Sequence, residues 1–123
     1  MLRTLQVAVA LAALCAQSSG LEGGDAIRLQ VTPTLSVAPA FLTVRVRVEA
    51  AAENRGLQVV AESADFYRSS EVQLEGDRAE SLSVFEFRNL PPGTYQITGV
   101  LVGANGPRAT ALKIARVEPQ GGR

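Results

Sequence analysis

The chain has 123 residues, of which 46% are hydrophobic, 20% charged and only 5% aromatic. Its 12 basic and 12 acidic residues cancel, and it has no histidine, no tryptophan and a single cysteine. Charge neutrality argues against a dedicated nucleic-acid binder, and the missing histidine removes the commonest general base and transition-metal ligand. The length suits one domain whose core needs no disulfide or metal.

The chain opens on Met1-Leu2-Arg3, then an apolar run from Leu5 to Ala16, then Gln17-Ser18-Ser19-Gly20. A short charged region, about a dozen apolar residues and a small-residue exit predict a secretory signal peptide over residues 1–20. The run falls short of the ~20 residues that span hydrocarbon, so no integral membrane segment is expected after processing. The small-x-small pattern puts cleavage within residues 16–21. Lipidation at Cys15 is disfavoured, because Leu14 stands where a lipoprotein signal has a small residue. The expected location is therefore secreted or periplasmic, in a mature chain without cysteine. Eleven of the twelve basic residues are arginine, a composition of bacterial, GC-rich character.

Residues 21–25 form a short Gly-bearing linker before a domain expected over 26–118, with a flexible tail at 119–123. Ile27, Leu29 and Val31 alternate with Arg28, Gln30 and Thr32, the period of two that sends side chains to opposite sheet faces. Pro33 interrupts and Leu35-Ser36-Val37 resumes, a pattern that belongs at a sheet edge. Leu42, Val44, Val46 and Val48 alternate cleanly with Thr43, Arg45, Arg47 and Glu49. Residues 50–56 predict a loop, because Asn54 and Gly56 form turns. Strands are expected over 57–62 and 70–74, with a turn at Glu75-Gly76-Asp77. A further strand runs over 82–87, where adjacent Val84 and Phe85 call for a bulge. A final pair covers 95–102 and 108–117. The pattern predicts an all-β fold: a seven- to eight-stranded antiparallel Greek-key β-sandwich.

Phe87-Arg88-Asn89-Leu90-Pro91-Pro92-Gly93-Thr94-Tyr95-Gln96-Ile97 is the most distinctive segment. Phe87 and Leu90 end one strand in the core, Pro91 and Pro92 stop sheet pairing, and Gly93 permits the reversal. Tyr95 and Ile97 return on one face, with the phenol placed to bond the loop backbone, as in the tyrosine corner of Greek-key sandwiches. The motif resembles the corresponding corner of carboxypeptidase regulatory-like (transthyretin-like) domains and, as a second choice, of fibronectin type III domains. The resemblance implies an immunoglobulin-like or prealbumin-like sandwich and is silent about function.

No constellation of catalytic residues emerges. Without histidine or mature cysteine only oxygen ligands remain for a metal, and the loop acids at Glu22, Asp25, Glu75 and Asp77 lack calcium-loop spacing. Lys113, the only lysine, stands in no Ser-x-x-Lys pattern, and Glu62 with Asp65 suit solvated positions. The expectation is no enzyme activity and no cofactor. Arg45 and Arg47 share a strand face and are expected to be salt-bridged to Glu49 and to carboxylates across the sheet. A protein partner in an envelope or extracellular assembly is the favoured role. A carbohydrate-binding accessory domain is the alternative, weakened by the scarcity of aromatic platforms. The expected contact is Tyr67 with Arg68, in a loop over residues 66–70 where Phe66 turns inward and Tyr67 outward.

Overall fold

The computed structural model describes residues 26–121. The expected signal peptide, the linker and Cys15 lie outside the described residues. Among the described residues there are eight strands: β1 (Ile27–Thr32), β2 (Leu35–Val37), β3 (Ala40–Val48), β4 (Asn54–Glu62), β5 (Tyr67–Gln73), β6 (Leu82–Leu90), β7 (Gly93–Gly103) and β8 (Gly106–Glu118). A single 3-10 turn, Gly76–Arg78, is the only helical element among the described residues. No helix there is long and apolar enough to cross a membrane.

The strands form two sheets, one ordered β1-β3-β6 and the other β2-β8-β7-β4-β5. Every ladder is antiparallel except β2 with β8, which is parallel. The chain passes from one sheet to the other between Thr32 and Leu35, at Pro33, so β1 and β2 each occupy a sheet edge. A residue without an N–H costs no ladder bond there.

Alternation builds the core. Ile27, Leu29 and Val31 of β1, Leu42, Val44 and Val46 of β3, and Phe85 and Phe87 of β6 are buried from one sheet. Leu57, Val59 and Ala61 of β4, Tyr95, Ile97 and Leu101 of β7, and Ala115 and Val117 of β8 meet them from the other. The two layers approach closely where Gly99 faces β1. A Cβ at that position would lie 2.7 Å from Leu29 Cδ1. Its cross-strand neighbour on β8 is the equally small Ala111. Small residues on β7 and β8 thus make room for the large side chains of β1.

Several expectations are corrected. The segment over 66–70 is not a loop, since β5 begins at Tyr67. β4 begins at Asn54, inside the expected turn. Asn54 is buried because it serves two elements: its Nδ2 donates to the Glu49 carbonyl at 3.0 Å, and its Oδ1 accepts from the Arg108 guanidinium. No bulge relieves Val84 and Phe85, because Val84 simply faces solvent while Phe85 is buried in continuous register with β3. The irregularity falls instead between Ala40 and Leu42, opposite Leu90 and Phe87. Asn89, at φ 59°, takes the left-handed conformation there, which asparagine tolerates better than most residues.

Candidate functional site

The corner motif is structural in its geometry. Phe87, Leu90, Tyr95 and Ile97 are buried, Pro91 is half-buried and Pro92 exposed. The Tyr95 hydroxyl donates to the Pro91 carbonyl at 2.6 Å, closing the β6–β7 turn. Burial raises the Tyr95 pKa above its ordinary value, while the Ser63 hydrogen bond and the Arg68 charge pull the other way. Gly93 sits in a tight place, since a Cβ there would lie 3.1 Å from that of Ser63.

Phe66 packs against the core, its ring edge-to-face with Tyr95 at 6.2 Å and 73°. Tyr67 and Arg68 do not share a surface. Adjacent strand residues point to opposite faces, and Arg68 turns to the core side of β5. There its guanidinium lies over the Phe66 ring at 5.0 Å and donates to the Arg88 carbonyl at 2.6 Å. Arg68 thereby ties the edge of one sheet to the edge of the other. Tyr67 is 60% exposed on the outer face of the five-stranded sheet.

The expected salt-bridged arginine face is not formed. Arg47 stands between Arg28 and Leu82, and Arg45 between Gln30 and Val84, so no carboxylate lies directly across from either. Among the described residues Arg45 and Arg47 make no ion pair.

The outer face on which Tyr67 lies is unusual. Register places four cross-strand rows upon it from β5 through β4 and β7 to β8: Gln73–Gly56–Val102–Pro107, Glu71–Gln58–Val100–Thr110, Ser69–Val60–Thr98–Leu112 and Tyr67–Glu62–Gln96–Ile114. Beyond them, Leu35 and Val37 of β2 flank Arg116 and Glu118. Leu35, Val37, Leu112 and Ile114 are 48% to 62% exposed. The outward residues of β7, from Thr94 to Val102, carry no charge, and those of β8 carry none before Arg116. The solvent face of an antiparallel sheet is ordinarily polar. Here the large aliphatic residues of β8 point outward and its alanines inward, because Ala109, Ala111 and Ala115 must fit beneath β1. Exposed aliphatic side chains with little charge between them are the surface character that interaction sites favour. The sequence expectation placed Tyr67 outward, as it lies, but did not anticipate the exposed aliphatic side chains beside it. The signal was the pair Leu112 and Ile114, offset by one position from the alanines.

No protein-family model and no curated protein matches the chain. Solved structures do. A superoxide reductase (neelaredoxin) from Ignicoccus hospitalis superimposes with TM-score 0.61 at 16% identity, over 75% of this chain and 80% of its own. The human F-spondin reeler domain matches with TM-score 0.54 at 12% identity, over 79% and 92%. A family 76 glycoside hydrolase from a bovine Bacteroides thetaiotaomicron strain matches with TM-score 0.53 at 14% identity, over 74% of this chain and 20% of its own. The shared feature is an all-β sandwich fold. At these identities the likeness extends to the fold alone, and it singles out no family, carboxypeptidase regulatory-like domains included. One expectation is overturned. The expected absence of enzyme activity does not stand, because a superoxide reductase is built on a sandwich of this shape. The fold is one that an enzyme uses, so the frame does not exclude catalysis.

Proposed function

We propose that this chain is a protein-binding module whose docking surface is the outer face of the five-stranded sheet. The observation that carries the reading is the exposure of Leu35, Val37, Leu112 and Ile114 on a face whose central strand presents no charge. Burying such side chains stabilises a complex by about 1.5–3 kcal/mol each when burial is complete. That gain must offset the cost of association, which is why several must act together. Tyr67 extends the face at its β5 margin with a ring and a hydroxyl, the combination enriched at hot spots. The carbohydrate-binding alternative has less support, since Tyr67 is the one ring on this face among the described residues.

The same reading takes the strand path as a Greek-key, immunoglobulin-like one. β3 lies beside β6 in one sheet and β4 beside β7 in the other, with the β3–β4, β5–β6 and β6–β7 connections crossing between sheets. Export is part of the proposal and rests on the amino-terminal apolar run. Amino-terminal sequencing of protein from the periplasm or medium is expected to begin between Ala16 and Glu22, and a cytoplasmic chain beginning at Met1 contradicts it.

The docking reading is tested with the pair Leu112→Glu, Ile114→Glu. It is expected to abolish association with protein partners while leaving the thermal midpoint of the isolated domain unchanged. Association that persists undiminished removes the face from the account.

A further inference from the structure

We infer that the outer face of the three-stranded sheet carries a binding site for a tetrahedral oxyanion, a phosphate or sulfate group, held by Arg45 and Arg47 of β3 with Gln30 of β1. This site is separate from the docking face, which belongs to the other sheet.

Strand geometry brings the donors together. Arg45 and Arg47 are two residues apart on one strand, so their side chains leave the same face about 6.7 Å apart. Register sets Gln30 across from Arg45 and Arg28 across from Arg47. Leu82 of β6 stands on the other side of Arg47 and is half-buried. With Leu29, these side chains line a hollow of about 260 Å³. Its lining holds three guanidinium groups and no carboxylate. Pockets that enclose drug-sized ligands run from about 300 to 1,000 Å³, so this one suits a single small anionic group.

The donors are uncommitted. Among the described residues Arg45 and Arg47 make no ion pair, and neither they nor Gln30 make a side-chain hydrogen bond. By contrast, Arg55, Arg68, Arg88, Arg108 and Arg116 each donate to an oxygen of the chain itself. The acids nearest in the sheet are placed elsewhere. Glu86, across from Thr43, is held by Arg88 at 3.2 Å. Glu49 lies beyond Arg47, where its N–H donates to the Ala26 carbonyl, and Glu80 precedes β6; neither lines the hollow.

Hydrogen-bond geometry selects the ligand. A guanidinium presents a planar fork that matches two oxygens at once. One arginine therefore satisfies a carboxylate, whereas two forks and an amide need an anion with more oxygens spread in space. A phosphate group supplies at least three acceptor oxygens and about two charges, and sulfate shares its tetrahedral shape. The neutrality of the chain as a whole does not oppose this, because contacts at hydrogen-bond range lie well inside the screening length.

The test is an NMR titration of the purified protein with sodium phosphate, sodium sulfate and sodium acetate in turn, with sodium chloride holding the ionic strength constant. Phosphate or sulfate is expected to give saturable shifts confined to Gln30, Arg45, Arg47 and their strand neighbours. Half-saturation is expected at about 1–10 mM, as befits an exposed site. Whichever of the two saturates at lower concentration identifies the group. Arg45→Gln with Arg47→Gln changes two exposed positions, so the thermal midpoint is not expected to fall. Half-saturation in that variant is expected to rise at least about tenfold. Arg47→Lys keeps the charge but loses the fork, and is expected to weaken binding about threefold or more. Shifts that follow ionic strength alone overturn the inference, as does acetate binding as tightly as phosphate and sulfate. Binding undiminished in the double glutamine variant, or in Arg47→Lys, overturns it equally.

Discussion

The Tyr95 hydroxyl and the Pro91 carbonyl, joined at 2.6 Å, hold the β6–β7 connection closed across four residues. The bond joins the two sheets as well as the turn, because β6 belongs to one and β7 to the other. Removing the hydroxyl alone, in Tyr95→Phe, leaves the ring packed and the Pro91 carbonyl without its donor. The expected cost is about 1–2 kcal/mol by chemical denaturation. Tyr95→Ala adds a cavity beneath Phe66 and is expected to cost ~3–5 kcal/mol. A loss below ~1 kcal/mol for the alanine variant would remove Tyr95 from the core of the account.

The same phenol predicts a pH dependence. Burial raises its pKa in the folded state above the ordinary value of 10.0. The folded chain therefore holds the proton more tightly than the unfolded chain. Its contribution to stability is fully present below the unfolded pKa and is lost as pH rises through the folded one. Denaturation midpoints are expected to fall above about pH 10. Tyr95→Phe is expected to fall less steeply, and an identical slope for the two proteins refutes the assignment.

Asn54 joins the end of the β3–β4 connection to β8 through the Glu49 carbonyl and the Arg108 guanidinium. Asn54→Leu has similar volume but supplies neither hydrogen bond. It is expected to destabilise by about 2 kcal/mol, the penalty for leaving buried polar partners unmet. Hydrogen exchange at the start of β4 and β8 should accelerate before the rest of the sheet does.

Tyr67 and Arg68 are neighbours in sequence with separate duties. Arg68→Ala removes the bond to the Arg88 carbonyl and the contact with Phe66. An expected loss of about 1 kcal/mol follows from the hydrogen bond alone. Tyr67→Ala touches an exposed side chain and is expected to change stability by less than ~0.5 kcal/mol. Its effect belongs to association instead. Equal destabilisation by the two variants contradicts this division.

Local patterns carried much of the architecture. The alternation of Ile27 to Val31 and of Leu42 to Val48 identified two strands and their buried faces, and Pro33 placed a sheet edge. The segment from Phe87 to Ile97 announced a corner, because prolines, glycine and tyrosine constrain the backbone within a few residues. What failed depended on register, which is long-range. Val84 beside Phe85 suggested a bulge, yet pairing with β3 leaves Val84 facing water without one. The segment from Phe66 to Ser70 looked like a loop because its side chains are polar. β5 is an edge strand in which most residues are exposed, so no apolar alternation marks it. The outer face of the five-stranded sheet was hidden for the same reason. Leu112 and Ile114 resemble core residues until Gly99 and Ala111 show that β1 occupies the inner side.

The most direct measurement is site-specific photo-cross-linking in the cells that make the protein. One photoreactive residue is placed at Leu112, on the outer face of the five-stranded sheet, and in a second variant at Val84, on the outer face of the other. Both positions are about half-exposed, at 51%, so general accessibility does not separate them. The account predicts a discrete protein adduct from position 112 and none from position 84. Adducts from both positions alike, or from 84 alone, contradict it.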